Sequence, residues 1–419
     1  MASLQIDNYS QIFKIRAFRA FWTGFTLSAV GDAMTRVALT WFVYEKTGSA
    51  AALGWLTLAY TGPVLIGGLV AGTLLDRFDR RKVMLVDSVL RGFAVALVPL
   101  MNWSGDLPLW VVYVVAAVYG SLMMVSLAGG PAMIPSLVPK ERLDTANALE
   151  TLSFTLSGVI GPPLAGLLIA WIGTPNVVVL DMLSYFAFAL ALASIRLSQA
   201  DQTAGVHSPE QLRWKDAFKL IWKNQVLLAT TIMFMAANFG LGLSNVWLPV
   251  YTDQVLGGGA GLYGFLLGCL AIGEVASSLL AGSLILALPL GTLIALAQVL
   301  SGGAVGILLI GSQAAWAVLS LTLLGFFSAP LTIWAQTLRM QIIPPALRGR
   351  TFALLRTLMQ GALPAGGAAA GFLLPVLGIP LMIALSAIVI GAPGLVGYRL
   401  PGLRRAGEPR RELVDPTYG

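Results

Sequence analysis

Charge is scarce in this chain. Of its 419 residues, 11% are Asp, Glu, Lys or Arg, against about 25% in ordinary soluble domains. A folded domain of this size needs a hydrated, charged surface, so the deficit excludes a water-soluble protein. A single cysteine, Cys269, excludes a disulfide framework and any cysteine-based metal cluster. A single histidine, His207, removes histidine-rich metal sites and leaves little from which to build a nucleophile and its base. Gly257 to Gly261 is glycine-rich, but it lacks the Lys-Ser/Thr of a phosphate loop and reads as a turn. An enzyme is not expected, and neither is a metal or a cofactor. A cleavable leader is not expected either. The apolar stretch after Lys14, Arg16 and Arg19 is interrupted by Asp32 and Arg36 and has no small-residue cleavage site.

Apolar residues fill the space that charge leaves: 57% of the chain is hydrophobic and the mean hydropathy is +0.82. A membrane-spanning helix needs about 20 mostly apolar residues. Twelve stretches qualify, at 20–44, 51–75, 83–102, 108–129, 147–172, 176–196, 225–252, 261–286, 289–311, 314–337, 351–375 and 379–399. The expected fold is therefore an all-α membrane protein. The one long polar stretch lies near the midpoint, and it divides the chain into a six-helix bundle (1–198), a linker (199–224) and a second six-helix bundle with a tail (225–419). Within the linker, Leu212, Trp214, Phe218 and Trp222 alternate with basic residues. That pattern suits an amphipathic helix on the membrane surface or a solvated connector.

Both termini fall on one side of twelve spans, and so does nearly every basic residue. Arg36, Arg91 and Arg356 lie in or at the edge of helices, and Lys46 alone sits on the far face. Lys and Arg concentrate on the cytoplasmic side of membrane proteins, which places both termini and the linker in the cytoplasm of a cell with the chain in its inner (plasma) membrane. The net charge of +7 then reflects topology and anionic lipid, not a nucleic-acid partner.

The two halves resemble each other. Pro139, Ala148, Leu149, Gly161, Ala165, Gly166 and Leu168 recur at constant spacing as Pro344, Ala353, Leu354, Gly366, Ala370, Gly371 and Leu373. Gly54, Ala71, Gly72 and Leu74 recur at a slightly longer spacing as Gly264, Ala281, Gly282 and Leu284. Two pseudo-symmetric bundles in parallel orientation are the simplest account, a common build among transporters.

The loop after the second span reads Gly72-Thr-Leu-Leu-Asp76-Arg77-Phe-Asp79-Arg80-Arg81-Lys82. Gly72 would permit close helix approach, Asp76 could accept bonds at a helix N-terminus, and the arginines could hold carboxylates or lipid phosphates. A topogenic loop explains the same residues. In sequence and position, however, it resembles the signature loop of the major facilitator superfamily. With Asp79 in place of the usual glycine, it is similar to a branch of drug and siderophore exporters. Further matches to that branch are Gly31-Asp32, the segment Val43 to Ser49, Asp87 with Arg91, and Pro139 to Asn147. The resemblance implies a cytoplasmic latch made by Asp76 and Arg77 against the start of the eleventh helix, near Gly349 to Phe352. Arg80, Arg81, Asp87 and Arg91 would brace it, with Glu150 and Arg356 as matched contacts between the halves. The fifth helix carries Ser157, Gly161, Pro162, Ala165 and Gly166. They are similar to an exporter motif that bends this helix, and ordinary tight packing of small residues accounts for them equally.

Charges inside the spans carry the sharpest local signal, because an unpaired ion there is costly and marks a wet cavity or a proton path. Glu274 lies centrally in the eighth span with no basic residue within a turn, so it ranks first as a proton carrier. Asp32 ranks second, with Arg36 one turn away on the same face as a substrate contact or a structural partner. Asn238, Asn245, Trp334, Gln336 and Gln360 are candidate cavity residues. Asp181 is expected near the outer end of the sixth span, within reach of water.

The expected protein is a monomeric secondary efflux transporter. It would exchange protons for an amphipathic or lipophilic small molecule of the drug, macrolide or siderophore kind, among membrane lipids, by alternating access. A lipid or lysolipid flippase of the same fold, or a non-transporting sensor, is the alternative.

Overall fold

The structure, a computed structural model, describes residues 11–195, 214–283, 288–344 and 347–407. The side chains of Leu69, Asp76, Trp214 and residues 281–283 lie outside the description, as do residues 209–213 of the expected linker helix. Every regular element among the described residues is helical. They are α1 (Arg16–Thr47), α2 (Ala50–Thr61), α3 (Val64–Arg77), α4 (Arg80–Trp103), α5 (Leu109–Leu137), α6 (Leu143–Ile172) and α7 (Thr174–Ser194). After the linker come α8 (Trp214–Lys223), α9 (Gln225–Gln254), α10 (Ala260–Ser283), α11 (Leu290–Gly306), α12 (Ala314–Ile342), α13 (Arg348–Arg399) and α14 (Pro401–Arg404).

Local chemistry sets the boundaries. Gly48 ends α1 with φ +58°, a conformation glycine adopts without strain, and its N–H donates to Tyr44 O. Ser49 caps α2 through Ala52 N, and Asn224 caps α9 through Val226 N and Leu227 N. Asp79 accepts from Arg81 N and Lys82 N at the start of α4, so the residue that departs from the family's glycine is the N-cap of the next helix. Gly62 and Pro63 separate α2 from α3, yet the pair forms one apolar path from Ala50 to Gly68. Within α13, Gly378 leaves helical geometry (φ 74°, ψ 169°), at the break the sequence places between its last two spans.

Among the described residues, ten helices are long and apolar enough to cross a membrane, so this is a multi-pass membrane protein. The tenth, Arg350–Arg399, includes the break at Gly378. With 32 residues, α1 has the length but not the hydropathy to join them, because Asp32 and Arg36 interrupt it.

Helices before the linker pack on one another, α1 on α6 and α7, α4 on α7, and α5 on α2, α3 and α4. Those after it do the same, α9 and α11 on α13, and α12 on α10 and α11. The two sets meet chiefly where α6 touches α10 and α2 touches α13, and a continuous buried apolar cluster runs through both. In α8, Ile221 is buried with Leu227, Ile343 and Leu355, while Phe218 and Trp222 stack on the exposed face. That is the amphipathic alternative for the linker.

Candidate functional site

Between the two sets of helices lies a cavity of about 690 Å³, enough for a drug-sized molecule. Helical periodicity brings its walls together. From α10 come Tyr263, Leu267, Leu270 and Glu274, and from α13 Phe352, Arg356, Gln360 and Leu363, each a stripe along one helix face. Across from them stand Arg36, Val37 and Thr40 of α1, Leu56, Thr57 and Tyr60 of α2, Val64 and Leu65 of α3, and Met123 and Met124 of α5. Leu241 and Asn245 of α9 and Leu324 and Ser328 of α12 complete the wall. Most of this surface is apolar. Its charged members are Arg36, Glu274 and Arg356.

Beside Thr40 and Tyr263 of the lining, the two sets of helices are tied together. Tyr44 OH donates to Asp253 Oδ2 at 2.7 Å, joining the C-terminal turns of α1 and α9. Trp41 stacks on Tyr263 with ring centroids 6.1 Å apart. Glycines bring the flanking helices into backbone contact. A Cβ at Gly54 of α2 would stand 2.9 Å from Gly367 O of α13, and one at Gly264 of α10 would stand 2.2 Å from Pro162 O of α6.

Of the expected site residues, Glu274, Arg36, Asn245 and Gln360 meet at this cavity. Among the described residues, no carboxylate lies within 4.0 Å of Arg36. Asn238 stands outside the lining. Trp334 turns instead to an apolar cluster with Met233 and Leu331, and Gln336 is exposed elsewhere on α12. Of Arg356 and Glu150, expected as matched contacts of the two halves, Arg356 lines the cavity and buried Glu150 lies against Gly130 of α5. No ion pair joins them. Tyr60, Tyr263 and Met124 are lining residues that the sequence reading missed. Met124 sits in mid-helix, whereas Tyr60 and Tyr263 lie in the last turn of α2 and the first of α10, where an aromatic residue reads as an interface anchor.

Asp32 occupies a second, separate centre. The Asp32–Arg36 pair does not form, because Asp32 turns away from the cavity toward α4 and α7. There Tyr185 OH donates to Asp32 Oδ1, and Arg91 Nη1 stands 3.5 Å from Asp32 Oδ2. The same guanidinium donates to Tyr185 OH at 3.1 Å, to Asp87 Oδ2 at 3.1 Å through Nε and 2.5 Å through Nη2, and to Ser126 Oγ. Asp181, expected near water, is fully buried and accepts from Thr35 Oγ1 at 2.6 Å. Asp87 and Arg91 therefore belong to a buried centre in the first set of helices, not to a brace under the loop. Two tyrosine rings separate this centre from the cavity. Tyr60, in the wall, lies 4.5 Å from Tyr119, and the Arg91 guanidinium stands over the Tyr119 ring at 5.7 Å.

Around the signature loop, Arg80 Nη1 donates to Ala132 O at 3.0 Å and Arg81 Nη1 to Ile195 O, tying the start of α4 to the ends of α5 and α7. Arg77 is exposed, and the Asp76 side chain lies outside the described residues. Gly72 admits no close helix approach, since a Cβ there would meet nothing within 4 Å. Gly161 and Gly166 are contact points, against Ala33 of α1 and against Ala260 of α10. The helix continues through Pro162 and Pro163. No metal-ligand cluster occurs among the described residues.

Comparisons with known proteins agree with this architecture. The profile of the transmembrane secretion effector family of the major facilitator superfamily matches residues 10–414. The multidrug efflux pump Tap of Mycobacterium tuberculosis is 26% identical over 402 residues, 94% of this chain and 95% of the pump. Macrolide efflux protein A of Streptococcus pyogenes is 24% identical over 242 residues, 58% of this chain and 60% of that protein. Among solved structures, a bacterial homologue of the iron transporter ferroportin in an inward-facing state superposes with TM-score 0.68 at 18% identity. It covers 91% of this chain and 98% of that one. The nucleoside transporter NupG gives TM-score 0.69 at 12% identity over 92% and 100% of the respective chains. These two show the shared fold.

Proposed function

The chain belongs to the transmembrane secretion effector family of the major facilitator superfamily, transporters rather than enzymes, and from that premise we propose that it is a secondary efflux transporter. Its cargo is an amphipathic small molecule of the drug, macrolide or siderophore kind, exported by proton antiport with alternating access. The observation that carries this reading is the cavity of about 690 Å³ walled by helices from both sides of the linker, with Glu274 of α10 and Arg36 of α1 both in its wall.

In this reading the ten apolar helices become twelve spans. The charged α1 is the first, α2 and α3 together make the second, and α13 supplies two on either side of Gly378. The halves are residues 1–198 and 225–419, joined by the linker 199–224, with both termini in the cytoplasm and the chain in the inner membrane. The glycine contacts support a two-fold relation. Gly54 of α2 meets Gly371 of α13, and their repeat counterparts Gly264 of α10 and Gly166 of α6 also meet each other. Likewise Gly161 sits on α1, and its counterpart Gly366 sits on the carbonyl of Phe239 in α9.

Glu274, facing the cavity, serves as the coupling carboxylate, and Asp32, behind Tyr60 and Tyr119, as a second. Asp76 and Arg77 act as the latch of the outward-facing state. In proteoliposomes with an imposed pH gradient, Glu274→Gln is expected to abolish gradient-driven export while retaining substrate binding. Export at the wild-type rate would remove Glu274 from coupling, and failure of the wild-type protein to respond to any gradient would remove proton antiport.

A further inference from the structure

Among the described residues, Arg36, Arg91, Arg339 and Arg356 lie within long helices, and the protein treats them differently. Arg91 is saturated by Asp87, Asp32, Tyr185 and Ser126. Arg339 is buried on α12, donates to Thr230 O at 3.2 Å and lies 4.6 Å from the Phe234 ring. Among the described residues, Arg36 and Arg356 have neither a carboxylate within 4.0 Å nor a side-chain hydrogen bond, and both are exposed side chains that line the cavity. Among the described lining residues Glu274 is the one carboxylate beside two guanidiniums, which leaves a surplus cation.

An unpaired guanidinium in a membrane-embedded cavity is costly, and its planar fork of donors matches a carboxylate, sulfonate or phosphate. Leu65, Met124, Leu270 and Phe352 cover the rest of the wall with apolar, partly adaptable surface. We propose that Arg36 and Arg356 bind an acidic group on the cargo, so that the transported molecule is an organic anion with an apolar body. This rests on reading the cavity as the substrate site of an exporter. The acid can belong to a soluble amphiphile or to a lysolipid headgroup, and the chemistry of recognition is the same.

Three dansyl-labelled undecyl probes test the proposal, ending in a carboxylate, its methyl ester and a primary amine. Fluorescence titration of the purified full chain is expected to give the carboxylate an affinity about tenfold or more above the ester, a difference of about 1.4 kcal/mol, with the amine weakest. Arg356→Gln and Arg36→Gln are each expected to narrow the gap by lowering carboxylate affinity while leaving the ester unchanged. Arg356→Lys should restore part of it. Equal affinities for carboxylate and ester, or preference for the amine, overturn the proposal. If a variant loses the ester as well, its fold has failed, and the wild-type ratio decides.

Gradient-driven export of the same probes separates the two claims. Export that favours ester or amine removes the anion and leaves the exporter. Carboxylate-selective binding with no gradient-driven movement keeps the anion site and removes the exporter. In phosphatidylcholine vesicles, displacement of the dansyl acid by lysophosphatidylglycerol at lower concentration than by unlabelled undecanoate assigns the acid to a lipid source. The reverse order assigns it to a soluble one, and displacement by neither overturns the proposal.

Discussion

Arg91 shows how a single side chain can hold a bundle together. It is 1% exposed, yet Tyr185, Ser126 and two carboxylates occupy its donors. Its fork binds Asp87 through two nitrogens on one oxygen, one turn along α4, and reaches α1 and α7 with the remainder. Removing one partner of a buried ion pair leaves uncompensated charge and costs about 3–5 kcal/mol. Arg91→Met is therefore expected to lower the thermal unfolding midpoint of the detergent-solubilised protein sharply. Arg91→Lys should recover less than half of the loss, because an ammonium cannot reproduce the fork. A midpoint within a degree of wild type for Arg91→Met would mean that the carboxylates around it are already neutral.

This centre was only partly legible. The pairing of Asp87 with Arg91 follows from i,i+4 spacing on one helix. That Asp32 joins them depends on how α1, α4 and α7 pack, which no local pattern carries. Asp181 was misplaced for a related reason. Counting residues put it near a helix end and hence near water, but Gly31 lets α7 approach α1 so closely that a Cβ there would stand 2.4 Å from Asp181 Oδ1. Thr35, one turn on from Gly31, then supplies the hydrogen bond that makes burial tolerable.

Among the helices, small residues decide which pairs touch, and not every glycine takes part. At Gly264 the atoms in the way are Pro162 O and C and Gly166 Cα, all backbone, so no rotamer change relieves a larger residue. Gly264→Leu is expected to force α6 and α10 apart and to cost about 1–3 kcal/mol, the range for overpacked sites. Gly72→Ala is the contrasting case. The site is helical and open, so Ala should be neutral or stabilise by roughly 0.5–1 kcal/mol. Both are read as unfolding midpoints, and a destabilised Gly72→Ala would show that the loop glycine serves a contact formed in another conformation. Ten apolar spans among the described residues and the break at Gly378 were legible in the sequence, whereas the interruption of the stretch 51–75 at Gly62-Pro63 was not. Which glycine meets which partner emerged only from the packing.

At the scale of the whole molecule, one hydrogen bond and one ring stack among the described residues tie the two sets of helices together beside the cavity. Tyr44 and Asp253 join the C-terminal turns of α1 and α9, beside the stacked Trp41 and Tyr263. A rocking transporter must break such a tie in each cycle, so the tie has to be weak enough to open and strong enough to bias the resting state. A hydrogen bond to a charged group contributes about 1.5–3 kcal/mol, and a bias of that size changes a two-state ratio by about one to two orders of magnitude. Tyr44→Phe removes this bond alone and keeps the ring against Trp41. It should therefore raise the population open at the Tyr44 end without unfolding the chain. A cysteine at Thr40, which lines the cavity, in a Cys269→Ser background reports the change through its labelling rate with a membrane-impermeant maleimide. Added from the Tyr44 side, the reagent is expected to react at least several-fold faster in Tyr44→Phe than in the parent, while labelling from the opposite side slows. Asp253→Asn, which keeps an acceptor for the phenol, should fall between the two. Equal rates in all three proteins would show that packing of α2 on α13 and α6 on α10 holds the two sets together without help from the Tyr44–Asp253 bond.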